Sequence, residues 1–258
     1  MKFALHKAGF TLIELAVAIF VLMLLLGSLI VPLTTQVEQR KVSETRKALD
    51  EAREALLGFA AANGRLPCPA SSASNGNESF AAGGSAADGN CSNFFDGFLP
   101  AAALGLAPTD ALGFAVDGWG LVQNRIRYAV SKQTVNGVTN ALTRSGGMSA
   151  AGLASLAASQ LLYVCGSGIG VNAGTNCGTA VTLSSNAVAI IYSVGANAAT
   201  GGTSAHELEN PNPNGGSADR IFVSRDWSTA SGSEFDDMVT WIGTNPLFSR
   251  LIAAGQLP

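Results

Sequence analysis

The sequence predicts an α+β protein in which a long amino-terminal helix packs on a globular head with an antiparallel β-sheet. A nearly continuous apolar run at residues 10–31, and apolar residues at helical spacing through residues 33–63, predict the helix. Short runs rich in β-branched residues, separated by turn-forming segments, predict the sheet. With 258 residues, 47% hydrophobic and 13% charged, the chain can form one soluble domain plus an anchor.

The first half of the helix has the composition of a transmembrane segment, because about 20 apolar residues cross a bilayer as a helix. Basic residues precede it, so the positive-inside rule places the extreme amino terminus in the cytoplasm and the head on the opposite side. Within residues 10–31 the one ionisable side chain is Glu14. Since a carboxylate in an apolar segment is costly, Glu14 needs a compensating partner; the alternative is that it lies close enough to the cytoplasmic end of the helix to reach the lipid headgroups.

The second half of the helix is amphipathic. Residues 33–63 contain no glycine before Gly58, and their charged residues lie between the apolar positions, as in a helix that packs one face on a domain. Gly64 is the predicted end of the helix.

Residues 7 and 9–15, Lys7 and GFTLIEL, resemble the cleavage and methylation signal of type IV prepilins and type II secretion pseudopilins. The resemblance implies a pilin-like fold. It also implies that a prepilin peptidase cuts between Gly9 and Phe10 and methylates the new amine of Phe10. Glu14 would then pair with the Phe10 amine of a neighbouring subunit, because a carboxylate and an ammonium attract strongly where water is excluded.

The same resemblance implies an organisation and a set of partners. Residues 1–9 form the leader, 10–31 the transmembrane and filament-core half of the helix, 32–63 the amphipathic half, and 64–258 the periplasmic or extracellular head. The partners are other pilin or pseudopilin subunits, the prepilin peptidase, the inner-membrane assembly platform and membrane lipids. The protein would be a single-pass inner-membrane protein with a periplasmic head that later enters a pilus or pseudopilus filament.

The function implied is that of a structural subunit, a minor one because the head is large, with no enzymatic activity. Pilus and secretion pseudopilus both remain open, since they share the amino-terminal signal. The rival hypothesis is a membrane-anchored extracytoplasmic binding module or enzyme that acts on a sugar, a surface or calcium. A net charge of −3 and the lack of a basic, aromatic-rich stretch argue against nucleic-acid binding.

The four cysteines predict disulfides. They show no C-x-x-C spacing and are accompanied by two histidines in the whole chain, which argues against zinc. Of the three possible pairings, Cys68 with Cys91 and Cys165 with Cys177 is favoured, because each pair closes a local loop rich in Gly, Ser and Asn.

The head is expected to contain five strands, at residues 125–130, 161–165, 187–194, 219–223 and 235–242. A short helix is expected at 148–159 and a terminal helix at 246–254, capped by Asn245. Residues 195–218 are expected to form a surface loop between the third and fourth strands. Residues 65–69 and the segment around 117–130 resemble parts of one subgroup of pilin-like proteins and favour a single head.

Oxygen-rich side chains in the loop before the fourth strand make calcium the one cofactor to consider, since calcium prefers six to eight oxygen ligands. The candidate ligands are Glu207, Glu209, Asn210, Asn212 and Asp219. The EF-hand order is missing, and an ordinary solvated loop is the alternative.

A second acidic set, Asp226, Glu234, Asp236 and Asp237, lies near Trp227 and Trp241. Paired carboxylates beside aromatic residues occur in glycosidases. We expect instead that these acids cap a turn and flank a strand, and that the tryptophans lie in the core. No G-x-S-x-G motif is present, and the glycines of residues 165–174 match neither phosphate-binding motif, so the sequence favours no catalytic machinery.

Overall fold

The computed structural model describes residues 11–158, 161–211 and 218–257. The chain divides into two compact units, of which the first ends at Ser43 and the second runs from Glu44 to Pro258. Helix α1 covers Leu12–Asn63 and contributes residues to both units. Gly64 follows it with a positive φ of 66° and donates its amide to the carbonyl of Ala60, so the helix ends where the sequence predicts. Within the described residues, no helix has a stretch both long and apolar enough to cross a membrane.

The second unit continues with short elements. They are β1 Gly97–Phe98, α2 Ala101–Leu104, a 3-10 turn at Val122–Asn124, β2 Arg127–Val130, β3 Thr134–Val135, β4 Val138–Thr139, α3 Gly147–Ala151, α4 Leu153–Ala158, β5 Leu162–Cys165, β6 Thr182–Ser193, β7 Ile221–Val223, β8 Met238–Gly243 and α5 Thr244–Ala253. All five predicted strands are present, and a long helix with an antiparallel-rich sheet confirms the α+β fold class.

The main sheet is organised around β6, the longest strand. The order is β1-β2-β6-β5-β7, and β8 also pairs with β6. All pairings in this sheet are antiparallel except that between β5 and β7. The first part of β6, up to Ala187, pairs with β5, and its residues 189–192 pair with both β2 and β8, so β6 is bonded to three strands of the sheet.

Both faces of the sheet are buried. On one face, Val188 and Ile191 of β6 join a core cluster with Leu49 and Leu56 of α1 and with residues of α5. On the other face, Ile190 and Tyr192 of β6, which are two positions apart, form a second core cluster with residues of β2, β5 and β7. The end of α1 therefore covers one side of the sheet, and the chain between β6 and β8 covers the other.

This packing corrects the expectation for residues 195–218. Its described part, residues 195–211, lies partly against the sheet and is not simply a surface loop, since Ala198 belongs to the second core cluster and Ser204, His206, Glu207 and Asn210 are buried. Ser204 and Asn210 of this segment donate hydrogen bonds to the backbone carbonyls of Glu234 and Val223, and such bonds lower the cost of burying polar side chains. Sequence composition could not reveal those distant partners.

Both favoured disulfides are present. Cys68 bonds Cys91 across 23 residues, and Cys165 bonds Cys177 across 12 residues.

The terminal helix differs from its prediction: α5 begins at Thr244, and its cap is Gly243 with no side-chain hydrogen bond, so Asn245 lies inside the helix. The helix continues β8 directly, which leaves no connecting residue for an asparagine cap.

Candidate functional site

The first turn of α1 holds Glu14 in a reciprocal hydrogen-bonded cap. Glu14 Oε2 accepts hydrogen bonds from Thr11 N and Thr11 Oγ1, both at 2.8 Å, and Glu14 N donates to Thr11 Oγ1 at 3.3 Å. Thr11 is the N-cap, because its carbonyl accepts the first helical bond, from Leu15 N. The pattern T-x-x-E is a capping box, which holds the carboxylate at the start of the helix.

The apolar residues on both sides of Glu14, at positions 12–25, are exposed in this chain. Leu12 is 88% exposed, and every large hydrophobic side chain named at residues 12–25 is at least 44% exposed. They are Leu12, Ile13, Leu15, Val17, Ile19, Phe20, Val21, Leu22, Met23, Leu24 and Leu25. A continuous apolar surface of this kind marks an interaction site for lipid or for another protein. The processing residues Gly9 and Phe10 lie outside the described residues.

A second feature lies in the unit that begins at Glu44. The carboxylates of Glu207, Asp236 and Asp237 come together so that their oxygens all lie within 4.8 Å of one another, and all three residues are buried. Glu207 comes from the segment between β6 and β7, and the two aspartates directly precede β8. We call these three residues the carboxylate cluster.

Hydrogen bonds fix the geometry of the carboxylate cluster. Glu207 Oε1 accepts from Asn197 Nδ2 and from Asp236 N, each at 3.0 Å. Asp236 Oδ2 accepts from Asn197 N at 3.0 Å. Asp237 Oδ2 accepts from Asn210 Nδ2 at 2.7 Å, and the same asparagine bonds both backbone groups of Val223 in β7. The cluster is therefore tied to the sheet edge.

Two glycines allow the backbone to approach the cluster closely. Gly195 and Gly202 have φ of 66° and 72°, a region that favours glycine. A Cβ at Gly195 would collide with Asp236, and one at Gly202 would collide with Glu207. The segment around the carboxylates is thus closely fitted to them.

Burial makes ionisation of the two aspartates costly. Desolvation raises the pKa of Asp236 to about 6 despite the hydrogen bond from Asn197, and the charge of Glu207 adds to the rise. Burial also raises the pKa of Asp237 well above its ordinary value, and the charges of Asp236 and Glu207 act in the same direction against the hydrogen bond from Asn210.

The carboxylate cluster differs from the predicted calcium ligands. It contains Glu207 from that set, and Asn210 contacts it as a hydrogen-bond donor whose oxygen is directed to Val223 N. Glu209 lies outside the cluster, and burial together with the charge of Asp219 raises its pKa. Asp219 accepts a bond from Ile221 N at the start of β7. Asn212 lies outside the described residues.

The structure also corrects the expectation for the second acidic set. Asp236 and Asp237 flank a strand as predicted, yet they meet a distant glutamate as well. Trp227 is 51% exposed and is therefore not a core residue, whereas Trp241 packs against the second core cluster. Sequence reasoning missed the cluster because 29 residues separate Glu207 from Asp236.

Cavities reach the carboxylate cluster from two directions. One, of about 180 Å³, is lined by Asn197, Glu207, Trp227, Glu234 and Asp236 among others. The other, of about 320 Å³, is lined by Arg46, Asp50, Arg225 and Asp237 among others. Small solutes can therefore approach carboxylates that are otherwise buried.

Comparison with known proteins bears on the amino terminus. Residues 5–30 match the family model of the prokaryotic N-terminal methylation motif. No curated protein and no solved structure matches the chain significantly. The matched residues include Gly9, Phe10 and Glu14, and the fold that follows is consistent with a pilin-like one. The chain therefore carries, at residues 5–30, the signal of type IV pilins and pseudopilins.

Proposed function

We propose that the protein is a minor structural subunit of a type IV pilus or a type II secretion pseudopilus. It resides in the inner membrane with its head in the periplasm, is cleaved after Gly9, is methylated at the Phe10 amine and then enters a filament. Its partners are other pilin or pseudopilin subunits, the prepilin peptidase, the assembly platform and membrane lipids. The methylation motif at residues 5–30 is the observation that carries this proposal.

Two features of the first unit support the assembly step. The exposed apolar residues 12–25 offer a surface for packing against like helices. The capping box holds the Glu14 carboxylate beside Thr11, the residue that follows Phe10 in sequence. We propose that this carboxylate pairs with the Phe10 amine of a neighbouring subunit and sets the axial register of the filament.

The capping box makes a sharp experiment possible, because glutamine serves as well as glutamate at this position of the cap. Glu14→Gln keeps the hydrogen-bond acceptor and removes the charge. We expect it to insert and fold normally but to lower incorporation into filaments by roughly tenfold or more. Incorporation is measured by immunoblotting sheared filaments against the cellular pool.

Matched variants separate charge pairing from capping. Thr11→Ala removes the threonine hydroxyl of the cap and keeps the charge, and Glu38→Gln removes an exposed charge elsewhere on α1. Both should assemble nearly normally. If Glu14→Gln assembles like the wild type while Thr11→Ala does not, the role of Glu14 is to cap the helix and the pairing proposal is wrong.

Processing provides an independent test of the whole proposal. In cells that contain the peptidase, intact-mass measurement should find a chain that begins at a methylated Phe10. A chain that retains residues 1–9 and is not methylated would contradict the proposal and favour the rival, a membrane-anchored binding module or enzyme.

The described residues give that rival little catalytic support. Ser167 Oγ lies 3.5 Å from His206 Nδ1, the kind of pair that activates a serine nucleophile. However, His206 Nδ1 already accepts a hydrogen bond from Gly168 N at 3.1 Å, and the ring is buried. Since its lone pair is engaged, this nitrogen is poorly placed to accept the serine proton. The methylation motif itself fits a structural protein.

A further inference from the structure

A polar cavity of about 540 Å³ opens on the head, and the functions discussed so far leave it without a role. Its lining, as the structure describes it, includes no residue of α1 or of the carboxylate cluster. Apart from one alanine, the lining residues are polar or charged: Asp88, Asn90, Lys132, Thr139, Asn140 and Arg144. A cavity with so little apolar surface suits a hydrophilic ligand.

The two loops that form this cavity are bonded to each other. Asn140 Nδ2 donates to the carbonyl of Asp88 at 3.1 Å, and Thr143 Oγ1 donates to the carbonyl of Gly89 at 2.6 Å. A Cβ at Gly89 would lie 2.4 Å from Arg144 N, so the two loops are in backbone contact. The cavity is therefore formed before any ligand arrives, and a ligand pays little to order it.

Two positive charges line the cavity without a protein counter-ion. Lys132 and Arg144 are exposed, and among the described residues neither forms a salt bridge with an acidic side chain. Asp88 is the one acid that the structure places in the lining, and its two oxygens accept the backbone amides of Ser85 and Asn90, at 3.1 and 2.7 Å. Because Asp88 caps its own turn, the two cations are available to an anionic ligand group.

One residue of the lining also has an unused acceptor. Asn140 is 5% exposed, and its Oδ1 is buried without a hydrogen-bond partner among the described residues, although its Nδ2 is bonded to Asp88. Buried acceptors are almost always paired, so this oxygen lacks a donor. The hydroxyl of Thr139 and the amide of Asn90 belong to the same lining. A ligand with several hydroxyl groups matches these neutral groups, because a hydroxyl both donates and accepts.

We propose that this cavity binds an acidic saccharide, a sugar unit that carries a carboxylate. Lys132 and Arg144 hold the carboxylate, and the neutral polar groups of the lining bond to the ring hydroxyls. The volume of about 540 Å³ lies in the range of pockets that take small organic ligands, and a single inorganic anion would not fill it. A nucleic acid is disfavoured, because the lining described has no aromatic side chain on which a base could stack.

Saccharide binding gives the head a task that a purely structural subunit does not have. The lining residues all belong to the unit that begins at Glu44, and neither Phe10 nor Glu14 takes part. The proposal is therefore independent of the amino-terminal signal and of filament assembly. A protein that is processed and assembled but binds no saccharide would contradict this inference alone, and a protein that binds the saccharide but keeps its leader would contradict only the filament proposal.

The test uses the purified full-length protein in detergent and isothermal titration calorimetry. The probe is digalacturonic acid, and its dimethyl ester is the matched ligand, which keeps the ring hydroxyls and lacks the charges. We expect the acid to bind about tenfold more tightly than the ester, and added sodium chloride to weaken the binding of the acid. No binding of the acid, or equal binding of the ester, would overturn the proposal.

Two further titrations separate a saccharide from other anions. Inorganic phosphate should bind more weakly than digalacturonic acid, because it offers no ring hydroxyls. A short DNA duplex should also bind more weakly, because the lining has nothing to stack a base. If phosphate binds as tightly as the saccharide, the cavity is a simple anion site, and if DNA binds more tightly, it is a nucleic-acid site; either result would refute the saccharide assignment.

Substitutions locate the binding in this cavity. Arg144→Gln should lower the affinity for digalacturonic acid about tenfold, and Thr139→Val, which removes only a hydroxyl, about threefold. Both side chains are exposed, so Tm should stay unchanged, and Lys132→Gln tests the second charge if Arg144→Gln does not fold. Arg250→Gln, at an exposed arginine of α5 outside the lining, should keep the full affinity. Binding that survives both charge substitutions in the cavity, or that falls equally in Arg250→Gln, would contradict the assignment.

Discussion

At the scale of single residues, a partly buried charge in the head, that of Asp110, is held by several partners at once. Asp110 accepts Arg125 Nε at 2.7 Å through one oxygen and the amides of Leu112 and Phe114, each at 2.9 Å, through the other. The Arg125 guanidinium also lies over the Phe114 ring, 4.2 Å from its centroid. Burial alone would raise the pKa of Asp110, but these hydrogen bonds and the arginine charge hold it below its ordinary value.

This pair leads to a prediction about pH. Because the folded state lowers the pKa of Asp110, its contribution to stability is present above the unfolded-state pKa of about 3.9 and is lost as the pH falls through the folded-state pKa. Asp110→Asn should lower the free energy of unfolding by about 2 kcal/mol at pH 7, and the loss should shrink towards zero in acid. Urea unfolding at both pH values measures the difference. Asp226→Asn, an exposed acid, should show no such change.

The residues of the candidate sites differ in whether the sequence alone can predict them. The capping box is a local pattern, T-x-x-E before an apolar run, and sequence reasoning could have found it. The carboxylate cluster has no local pattern, because Glu207 belongs to one loop and Asp236 to another. Spacing within the chain therefore pointed to Glu209 and Asp219, which the fold places outside the cluster.

At the scale of elements, disulfides replace regular structure where the head is rich in loops. The Cys68–Cys91 bridge fixes the long segment between α1 and β1, and both sulfurs lie in the main core cluster. The Cys165–Cys177 bridge closes the turn after β5 and belongs to a smaller cluster. Each reduces the conformational entropy of the unfolded chain by an amount that increases with the logarithm of its loop length.

The two bridges should therefore differ in importance. Replacing Cys68 and Cys91 together by alanine should lower the free energy of unfolding by about 3 kcal/mol, and replacing Cys165 and Cys177 by about half a kcal/mol less. Urea unfolding of the two double variants, without reductant, measures the contrast. A larger loss from the Cys165 and Cys177 pair would contradict the loop-length argument.

At the scale of the whole molecule, the end of α1 is part of the core of the head. Leu49, Ala52, Leu56 and Ala60 repeat at helical spacing and pack in one cluster with residues of β6 and α5. On the same helix, Glu54 forms a salt bridge with Arg250 of α5 at 2.6 Å. The unit that begins at Glu44 thus depends on the helix for one wall of its core.

Removing part of that wall should destabilise the head. Leu56 is fully buried, so Leu56→Ala should lower the free energy of unfolding by about 3 kcal/mol. Val37→Ala, at a half-exposed position of the same helix in the first unit, should change it by less than about 0.5 kcal/mol. Tryptophan fluorescence during urea unfolding reports both. Equal effects would mean that the packing of α1 on the sheet contributes little.

The sequence alone determined the features that depend on neighbouring residues: the amino-terminal signal, the helix that ends before Gly64, the approximate positions of five of the eight strands and the two short-range disulfides. Each is encoded in spacing or composition over a short stretch, which local conformational preference turns into structure. Only the tertiary structure decided that β6 pairs with three strands, that residues 195–211 cover one face of the sheet and that three carboxylates meet in its loops. Those features depend on contacts between segments far apart in the chain, and the folded backbone, not local preference, brings such segments together.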